Sequence, residues 1–436
     1  MNEVSASATV RVGVLGCGNV GGPLVHLLTD PASAAAIETR TGLRFEVTRI
    51  AVRSVTRERP FPVPAGLLTH DSEALVGAED VDIVVELIGG IEPARALILD
   101  ALKAGKPVVS ANKELLANVG AELFDAAAAA GRDLLFEAAV GGGIPLIRPL
   151  RESLAGERIT RLMGIVNGTT NYILTKMSEE GATYSAALSD AQSLGYAERD
   201  PTADVEGFDA GAKVAILASI AFGQRVVAGD VYREGIASVT AADIAFAARM
   251  GYVVKLLAVA EQDAGGAIGV RVHPAMLPTT HPLAAVRDSF NAVFIEGDAV
   301  GELMLYGRGA GGMPTASAVL GDLIDAAHNL RRGISSPVPP AARARIRPID
   351  ALRSQYYLNI EVADRAGVLA DVARVFGDHG VSIRSMEQEQ DGTGEARLVF
   401  ITHTATEADV QATLQGLRQL DAVDRIGSLV RVMGQE

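Results

Sequence analysis

Val10-Arg11-Val12-Gly13-Val14-Leu15-Gly16-Cys17-Gly18-Asn19-Val20-Gly21 decides how the first third of this chain is read. A short apolar run predicts a strand and leads directly into a G-x-G-x-x-G loop. The stretch from Pro23 to Leu28 then predicts a helix. In that order the glycines permit a tight turn, close approach of backbone to a pyrophosphate, and close helix packing, while the helix N-terminus faces the phosphates. Gly16, Gly18, Asn19, Val20 and Gly21 are the candidate cofactor cradle. Strand-like runs at Phe45 to Val52, Val81 to Leu87, Pro107 to Ser110 and Leu134 to Glu137 alternate with helical stretches such as Pro93 to Ala104 and Glu114 to Ala130. The alternation predicts an α/β fold with a Rossmann-type doubly wound parallel sheet.

Past the second strand, an NAD-type site places an acidic residue on the ribose hydroxyl. This chain has Arg53 there, with Arg57 and Arg59 behind it, so NADP(H) is favoured over NAD(H). A solvated arginine loop is the other reading. Val108-Val109-Ser110 delivers Asn112-Lys113 at the carboxyl edge of the sheet, where such folds bind ligands, and so puts Lys113 near the nicotinamide end. Out of that context Lys113 reads as a surface helix-start lysine.

Two further stretches carry candidate chemistry. In Glu137-Ala138-Ala139-Val140-Gly141-Gly142-Gly143-Ile144-Pro145, three successive glycines free the backbone to aim carbonyls at one centre. One carboxylate with neutral carbonyls suits a weakly held monovalent cation better than magnesium or zinc. A flexible turn between domains is the alternative. The second stretch, Glu198 to Lys213, is dense in carboxylates and ends in a lysine before an apolar run. Asp209 and Lys213 sit four residues apart where a helix starts, so both project from one face. In isolation that spacing describes an exposed ion pair worth a few tenths of a kcal/mol.

The composition narrows the field. The chain has 436 residues, 48% hydrophobic and 21% charged, which is enough for two to three cores. A net charge of −14 and a pI near 5.1 disfavour nucleic acid and anionic membrane as partners. Met1 to Val10 lacks signal-peptide features and Val214 to Phe222 is too short to span a bilayer, so a cytoplasmic address follows by default. Cys17, the single cysteine, sits in the glycine loop, which removes a disulfide framework, a cysteine metal cluster and a thiol nucleophile. The seven histidines form no H-x-x-x-H pair.

Taken together, the motifs resemble the homoserine dehydrogenase family over nearly the whole chain. They are the glycine loop, Ser110-Ala111-Asn112-Lys113, Glu137 to Pro145, Gly164-Ile165-Val166-Asn167-Gly168-Thr169-Thr170-Asn171-Tyr172-Ile173-Leu174, Leu194-Gly195-Tyr196-Ala197-Glu198 running on to Lys213, and Tyr306 to Ala316. The resemblance implies reversible NAD(P)H-dependent reduction of L-aspartate 4-semialdehyde to L-homoserine. It makes Lys213 the general acid and base, Glu198 and Asp209 substrate ligands, and Lys113 a neighbour of substrate and cofactor. Glu137, Val140, Gly142 and Ile144 become the sodium or potassium ligands, and Gly195, Gly309 and Gly311 join the cofactor site. The chemistry is coherent, because hydride reduction of an aldehyde leaves an alkoxide that needs a proton, and a desolvated lysine between carboxylates can supply it. Asp200, Asp204 and Glu206 remain solvated or structural carboxylates on this reading.

Ile334 to Pro340, with Arg343 to Pro348, is proline-rich and basic and predicts a linker to a separate module. Beyond it, strands at Tyr356 to Val362, Val381 to Gln388, Glu395 to Thr402 and Ser428 to Met433, with helices at Val368 to Phe376 and Glu407 to Leu417, spell β-α-β-β-α-β. Asp364-Arg365-Ala366-Gly367-Val368-Leu369 resembles the first turn of an ACT domain, a regulatory amino-acid sensor. That resemblance implies threonine as effector at Asp364 and Gly367, and pairing into a homodimer or homotetramer. The expected layout is a Rossmann domain at 1–147 plus about 305–333, an α+β substrate and dimerisation domain at 148–304, a linker at 334–354, and a ferredoxin-like ACT domain at 355–436. A non-catalytic amino-acid sensor on a retired dehydrogenase scaffold is the competing class. A phosphorylating semialdehyde dehydrogenase needs a cysteine nucleophile that Cys17 is in the wrong place to provide.

Overall fold

The computed structural model describes residues 8–64, 66–336, 338, 341–390 and 395–433. Positions 337, 339 and 340 of the expected linker, and the first seven residues of the leader reading, lie outside the described residues. In chain order the first elements are β1 (Ala8–Leu15), α1 (Gly21–Thr29), α2 (Pro31–Thr41), β2 (Leu43–Ala51), β3 (Leu68–Thr69), α3 (Ser72–Gly77), β4 (Ile83–Glu86), α4 (Ala94–Lys103), β5 (Val108–Ser110), α5 (Lys113–Ala130) and β6 (Leu134–Leu135). Next come β7 (Ile159–Ile165), α6 (Gly168–Glu180), α7 (Tyr184–Ser193), α8 (Thr202–Val205), α9 (Phe208–Phe222), β8 (Tyr232–Arg233), α10 (Ala241–Arg249), β9 (Tyr252–Gln262), β10 (Ile268–Pro278), β11 (Phe290–Gly297), β12 (Gly301–Arg308) and α11 (Gly312–Arg332). The last are β13 (Arg353–Ala363), α12 (Val368–Asp378), β14 (Ile383–Gln390), β15 (Glu395–Thr402), β16 (Ala405–Thr406), α13 (Glu407–Leu417) and β17 (Val423–Val432).

The chain divides into two compact units. The first combines residues 1–159, 215–229 and 305–344. Its six strands run in the order β3-β2-β1-β4-β5-β6, every neighbouring pair parallel. This is the doubly wound sheet that the strand and helix alternation predicts. The order reverses between β1 and β4, and ligands bind beyond the carboxyl ends of the strands at such a point. Val12, Val14, Ile83 and Val85 are fully buried, as expected of parallel strands covered on both faces. Ala316, Val319 and Leu323 of α11 complete the same core, so a helix three hundred residues downstream in the chain closes the nucleotide-binding fold.

The second unit combines residues 160–214, 230–304 and 345–436. Within it β13, α12, β14, β15, α13 and β17 form the predicted β-α-β-β-α-β, with strand order β17-β13-β15-β14 and antiparallel pairing throughout. Phe376 of α12 packs on Phe400 of β15 with ring centroids 4.9 Å apart in that core. This fold also joins the preceding sheet through one strand pair. β17 also pairs in parallel with β10, Ala275 opposite Arg431 and Met276 opposite Val432. One sheet thus runs through the substrate region and the C-terminal fold, because β10 would otherwise present an unpaired edge. The basic stretch is tied down too: Ile268 N–H donates to the Arg345 carbonyl at 2.9 Å, and Arg347 N–H returns to the Ile268 carbonyl at 2.8 Å.

Candidate active site

In the first unit the glycine loop is dictated by close backbone approach. Gly16 has φ +99°, and a Cβ there would lie 2.7 Å from the Leu87 carbonyl oxygen. A Cβ on Gly21 would meet the Gly16 oxygen at 2.1 Å, whereas one on Gly18 would meet nothing within 4 Å. Gly18 therefore faces open space, as close approach to a phosphate requires. Val20, the N-cap of α1, has no side chain bonded to the helix amides, leaving that N-terminus without a side-chain competitor for an anion. Gly311 (φ +116°) is the N-cap of α11. The next residue, Gly312, is packed so tightly that a Cβ would sit 2.3 Å from the Asn19 oxygen. Gly309 is buried, its carbonyl against Gly142. Burial pushes the Cys17 thiol up, away from nucleophile behaviour.

Arg53 lies two residues past β2, exposed. Arg59 folds back, its Nη1 donating to the Arg57 carbonyl at 2.8 Å and its Nη2 to the Ser54 carbonyl at 2.7 Å. Its Nε is buried and has no hydrogen-bond partner among the described residues. At the carboxyl edge of β4 and β5, Glu86 is fully buried and accepts from Ile88 N–H (2.9 Å), Gly89 N–H (3.2 Å) and the Ser110 hydroxyl (2.6 Å). Asn112 caps α5 through Leu115 N–H at 3.1 Å and donates to the Gly90 carbonyl at 2.7 Å. This network fixes the start of α5, whose first residue is Lys113. Sequence reasoning passed over Glu86, and a lone carboxylate closing an apolar strand was the available signal.

The turn after β6 departs from expectation in one respect. The Glu137 carboxylate was expected to supply charge to an ion, but it accepts the backbone N–H groups of Leu146, Ile147 (2.8 Å) and Arg148 (2.7 Å). These amides lead into the short helix at Pro149–Ser153, where orphan amides draw a carboxylate, and the Glu137 carbonyl accepts Val140 N–H at 3.4 Å. Asp322 orients the same residue, accepting Glu137 N–H at 2.7 Å and Arg148 Nη2 at 2.9 Å, and burial pushes the Asp322 carboxyl up to about 7. Val140, Gly142 and Ile144 are buried, and their carbonyls accept no hydrogen bond among the described residues. Buried unpaired carbonyls of this kind fit a hard monovalent ion.

The second unit holds the lysine. Lys213 Nζ, nearly buried, donates to Asp209 Oδ2 at 2.7 Å and to the Val166 carbonyl at 2.6 Å. The spacing of four on α9 brings the pair together, but burial makes it far more than a surface ion pair. Asn167, the N-cap of α6, donates its amide to Asp209 Oδ2 at 2.8 Å and to Asp204 Oδ1 at 2.7 Å. Of the two readings given for Asp204, solvated or structural, the bond from Asn167 favours the structural one and makes it a member of the lysine's network. Asn167 lies within the specific stretch from Gly164 to Leu174, so its signal was present without an assigned role. Glu198 is exposed in the turn after α7, and its carboxylate has no partner among the described residues. Gly195, with φ +75°, ends α7: its N–H donates to the Gln192 carbonyl and Tyr196 N–H to the Ala191 carbonyl, which is ordinary left-handed helix termination. In the C-terminal fold the turn from Asp364 to Gly367 is exposed, and Gly367 (φ +96°) is the N-cap of α12. Among the described residues no group of three or more His, Cys, Asp or Glu gathers to hold a metal, and no helix is long and apolar enough to cross a membrane.

These features have close counterparts. Residues 16–137 match the homoserine dehydrogenase NAD-binding domain, 145–324 the homoserine dehydrogenase domain and 356–422 the ACT domain. The chain is 50% identical over 430 residues to a homoserine dehydrogenase of Corynebacterium glutamicum, covering 98% of this chain and 96% of that one. It belongs to the homoserine dehydrogenase family. Its fold agrees with the crystal structure of a homoserine dehydrogenase from Thiobacillus denitrificans at a TM-score of 0.91, with 41% identity over 98% of each chain. It also resembles a hyperthermophilic archaeal homoserine dehydrogenase in complex with NADPH, at a TM-score of 0.61 and 31% identity over 74% of this chain and 98% of that one. The enzyme is an NAD(P)-dependent oxidoreductase that interconverts L-aspartate 4-semialdehyde and L-homoserine, and the sensor alternative is not favoured.

Proposed function

We propose that Lys213 is the general acid and base of this reaction. The observation that carries the proposal is its buried ammonium, held between the Asp209 carboxylate and the Val166 carbonyl. The nicotinamide, when bound, supplies or takes up the hydride. In reduction the aldehyde oxygen becomes an alkoxide and receives a proton from Lys213 Nζ; in oxidation the neutral amine takes that proton back. Asp209, braced by Asn167 and through it by Asp204, fixes the ammonium and disperses its charge. Glu198, an exposed carboxylate, suits the α-ammonium of the substrate, with Asp209 its second anchor. Lys113, at the carboxyl edge of the sheet, completes the set of charged residues assigned to substrate and cofactor.

The same reading extends to the ligands. NADP(H) is favoured over NAD(H) because Arg53 follows β2 where an acid would meet the ribose, and the buried Arg59 Nε has no partner among the described residues. The archaeal relative's complex with NADPH supports it. Gly16, Gly18, Asn19, Val20 and Gly21 cradle the pyrophosphate, joined by Gly309 and Gly311. A sodium or potassium ion takes the carbonyls of Glu137, Val140, Gly142 and Ile144. Threonine is the proposed effector at Asp364 and Gly367, and a cytoplasmic homodimer or homotetramer the proposed form. The proposed boundaries are 1–147 with 305–333 for the nucleotide domain, 148–304 for the substrate domain and 355–436 for the ACT domain. Turnover of Lys213→Met in homoserine oxidation tests the core of this reading. Wild-type turnover in a folded variant would sink it.

A further inference from the structure

Within the second unit, a cluster of polar side chains ties the C-terminal fold to the segment that follows β8. Arg431 of β17 stands at its centre, 1% exposed. Its Nη1 and Nη2 each donate to Glu234 at 2.9 Å, a forked pair on the two carboxylate oxygens. Its Nε (3.1 Å) and Nη2 (2.7 Å) donate to Glu407 Oε2. The Tyr232 hydroxyl adds a bond to Glu234 at 2.6 Å, and the Tyr356 hydroxyl one to Glu407 at 2.9 Å. Glu234 is fixed at its backbone as well, its N–H donating to the Val272 carbonyl of β10 at 2.8 Å. The carboxylate and the amide of this one residue are thus anchored on two different strands.

What Glu234 holds in place is the turn that starts α9. Ile236 N–H donates to the Val205 carbonyl at 2.9 Å, and a Cβ on Gly235 would lie 2.4 Å from that same oxygen. A Cβ on Gly207, which has φ +78°, would stand 3.1 Å from Val272 Cγ1 and 3.6 Å from the Glu234 carbonyl oxygen. Residues 205–207 are packed so closely on 234–236 and β10 that the turn follows that segment. On either side of the turn are Asp204 and Asp209, the two carboxylates that take the Asn167 amide at 2.7 and 2.8 Å, and Asp209 Oδ2 also takes Lys213 Nζ at 2.7 Å. We propose that Glu234 is a positioning residue for the reaction: held by Arg431, it sets the turn into α9 and so the place of the Asp209 carboxylate against the Lys213 ammonium. The inference rests on the reading of Lys213 as general acid and base. It gives the C-terminal fold a part in catalysis that needs no effector.

Another cluster supplies the control. Asp243 of α10, fully buried, accepts from the Tyr357 hydroxyl at 2.9 Å and the Ser428 hydroxyl at 2.6 Å, so it joins β13 and β17 to α10 instead. The test measures kcat and cofactor KM for homoserine oxidation by the full-length enzyme, below its melting transition. Glu234→Gln keeps the shape but turns an N–H toward Arg431 where an acceptor is needed, and kcat should fall by about tenfold, as a fraction of an ångström of misplacement costs, with cofactor KM unchanged. Should that variant not fold, Tyr232→Phe carries the test; it removes only the hydroxyl bond and should lower kcat about threefold. Tyr357→Phe, the same chemical change at the Asp243 cluster, should lower the melting temperature and leave kcat unchanged. Placed in Asp209→Asn, Glu234→Gln should have no further effect, since the counter-charge it positions is gone. An unchanged kcat in the folded variant, an equal loss in Tyr357→Phe, or a loss that multiplies undiminished with Asp209→Asn would each overturn the proposal. Lys213→Met, assayed alongside, separates the two readings: an inactive Lys213→Met beside a fully active Glu234→Gln overturns this inference alone, whereas wild-type turnover in Lys213→Met overturns both.

Discussion

Lys255 is a buried amine whose cost can be read from pH. It is 2% exposed, and its Nζ donates to Asn171 Oδ1 at 3.0 Å and to the Val286 carbonyl at 2.5 Å, both uncharged acceptors. Burial pushes its pKa down from the ordinary 10.5 to about 8. The unfolded chain therefore binds more protons than the folded one between about pH 8 and 10.5, so this group makes stability rise with pH across that window. Below pH 8 both states are charged and the full penalty applies. At about 1.36 kcal/mol per pH unit, the gap corresponds to about 3 kcal/mol. Lys255→Met removes the titration while keeping an unbranched chain of similar length. The stability of wild type minus that of the variant should climb by about 3 kcal/mol from pH 7.5 to 10.5. Urea unfolding followed by circular dichroism at four pH values in that interval measures it, and titrations common to both proteins cancel in the difference. Two parallel profiles, differing by a constant across the window, would refute the reasoning.

Other outcomes follow from the same geometry. Asp209→Asn keeps the bonds to Asn167 and Lys213 but removes the counter-charge of a buried ammonium. Homoserine oxidation should lose about 2–4 kcal/mol in kcat/KM, roughly 30- to 1000-fold; a loss under threefold would contradict the assignment. Gly21→Ala drives a methyl to 2.1 Å from the Gly16 oxygen, so cofactor KM should rise by about tenfold or more, since a misplaced pyrophosphate loop loses roughly one charge-assisted contact. An unchanged KM would show the loop yields freely. Arg431 is 1% exposed between Glu234 and Glu407, and Arg431→Met should destabilise the enzyme by about 3–5 kcal/mol, the cost of stranding the buried Glu407 carboxylate. Thermal melts that differ by less than a degree would count against it.

Where local pattern and final structure agree, the determinants are local. The glycine loop, Glu395–Thr402 and Glu407–Leu417 could be read because a strand, a turn or a capped helix is specified within its own residues. Disagreements trace to distant partners. The strand expected to reach Glu137 stops at Leu135, and Glu137 N–H bonds Asp322, 185 positions later. Whether Asp204 is solvated or structural could not be read locally, because the Asn167 amide that holds it lies 37 residues earlier. The final strand begins at Val423 rather than Ser428, since Val423 pairs with Val362 of β13. Helix α2 escaped the periodicity reading because none of its residues is buried and it carries no apolar stripe. In the candidate site, the Asp209 and Lys213 pair was visible as a spacing, but its burial and its third member, Asn167, were not.

The seat of β17 between β10 and β13 bears on how the enzyme can be cut. A truncated enzyme ending before residue 423, intended to remove the C-terminal fold and leave the rest untouched, would strip β10 of its neighbour at Ala275 and Met276. The exposed backbone would offer itself to any extended chain, and self-association is the expected failure of such a product. Anyone wanting an unregulated enzyme is better served by point changes in the C-terminal fold than by shortening the chain.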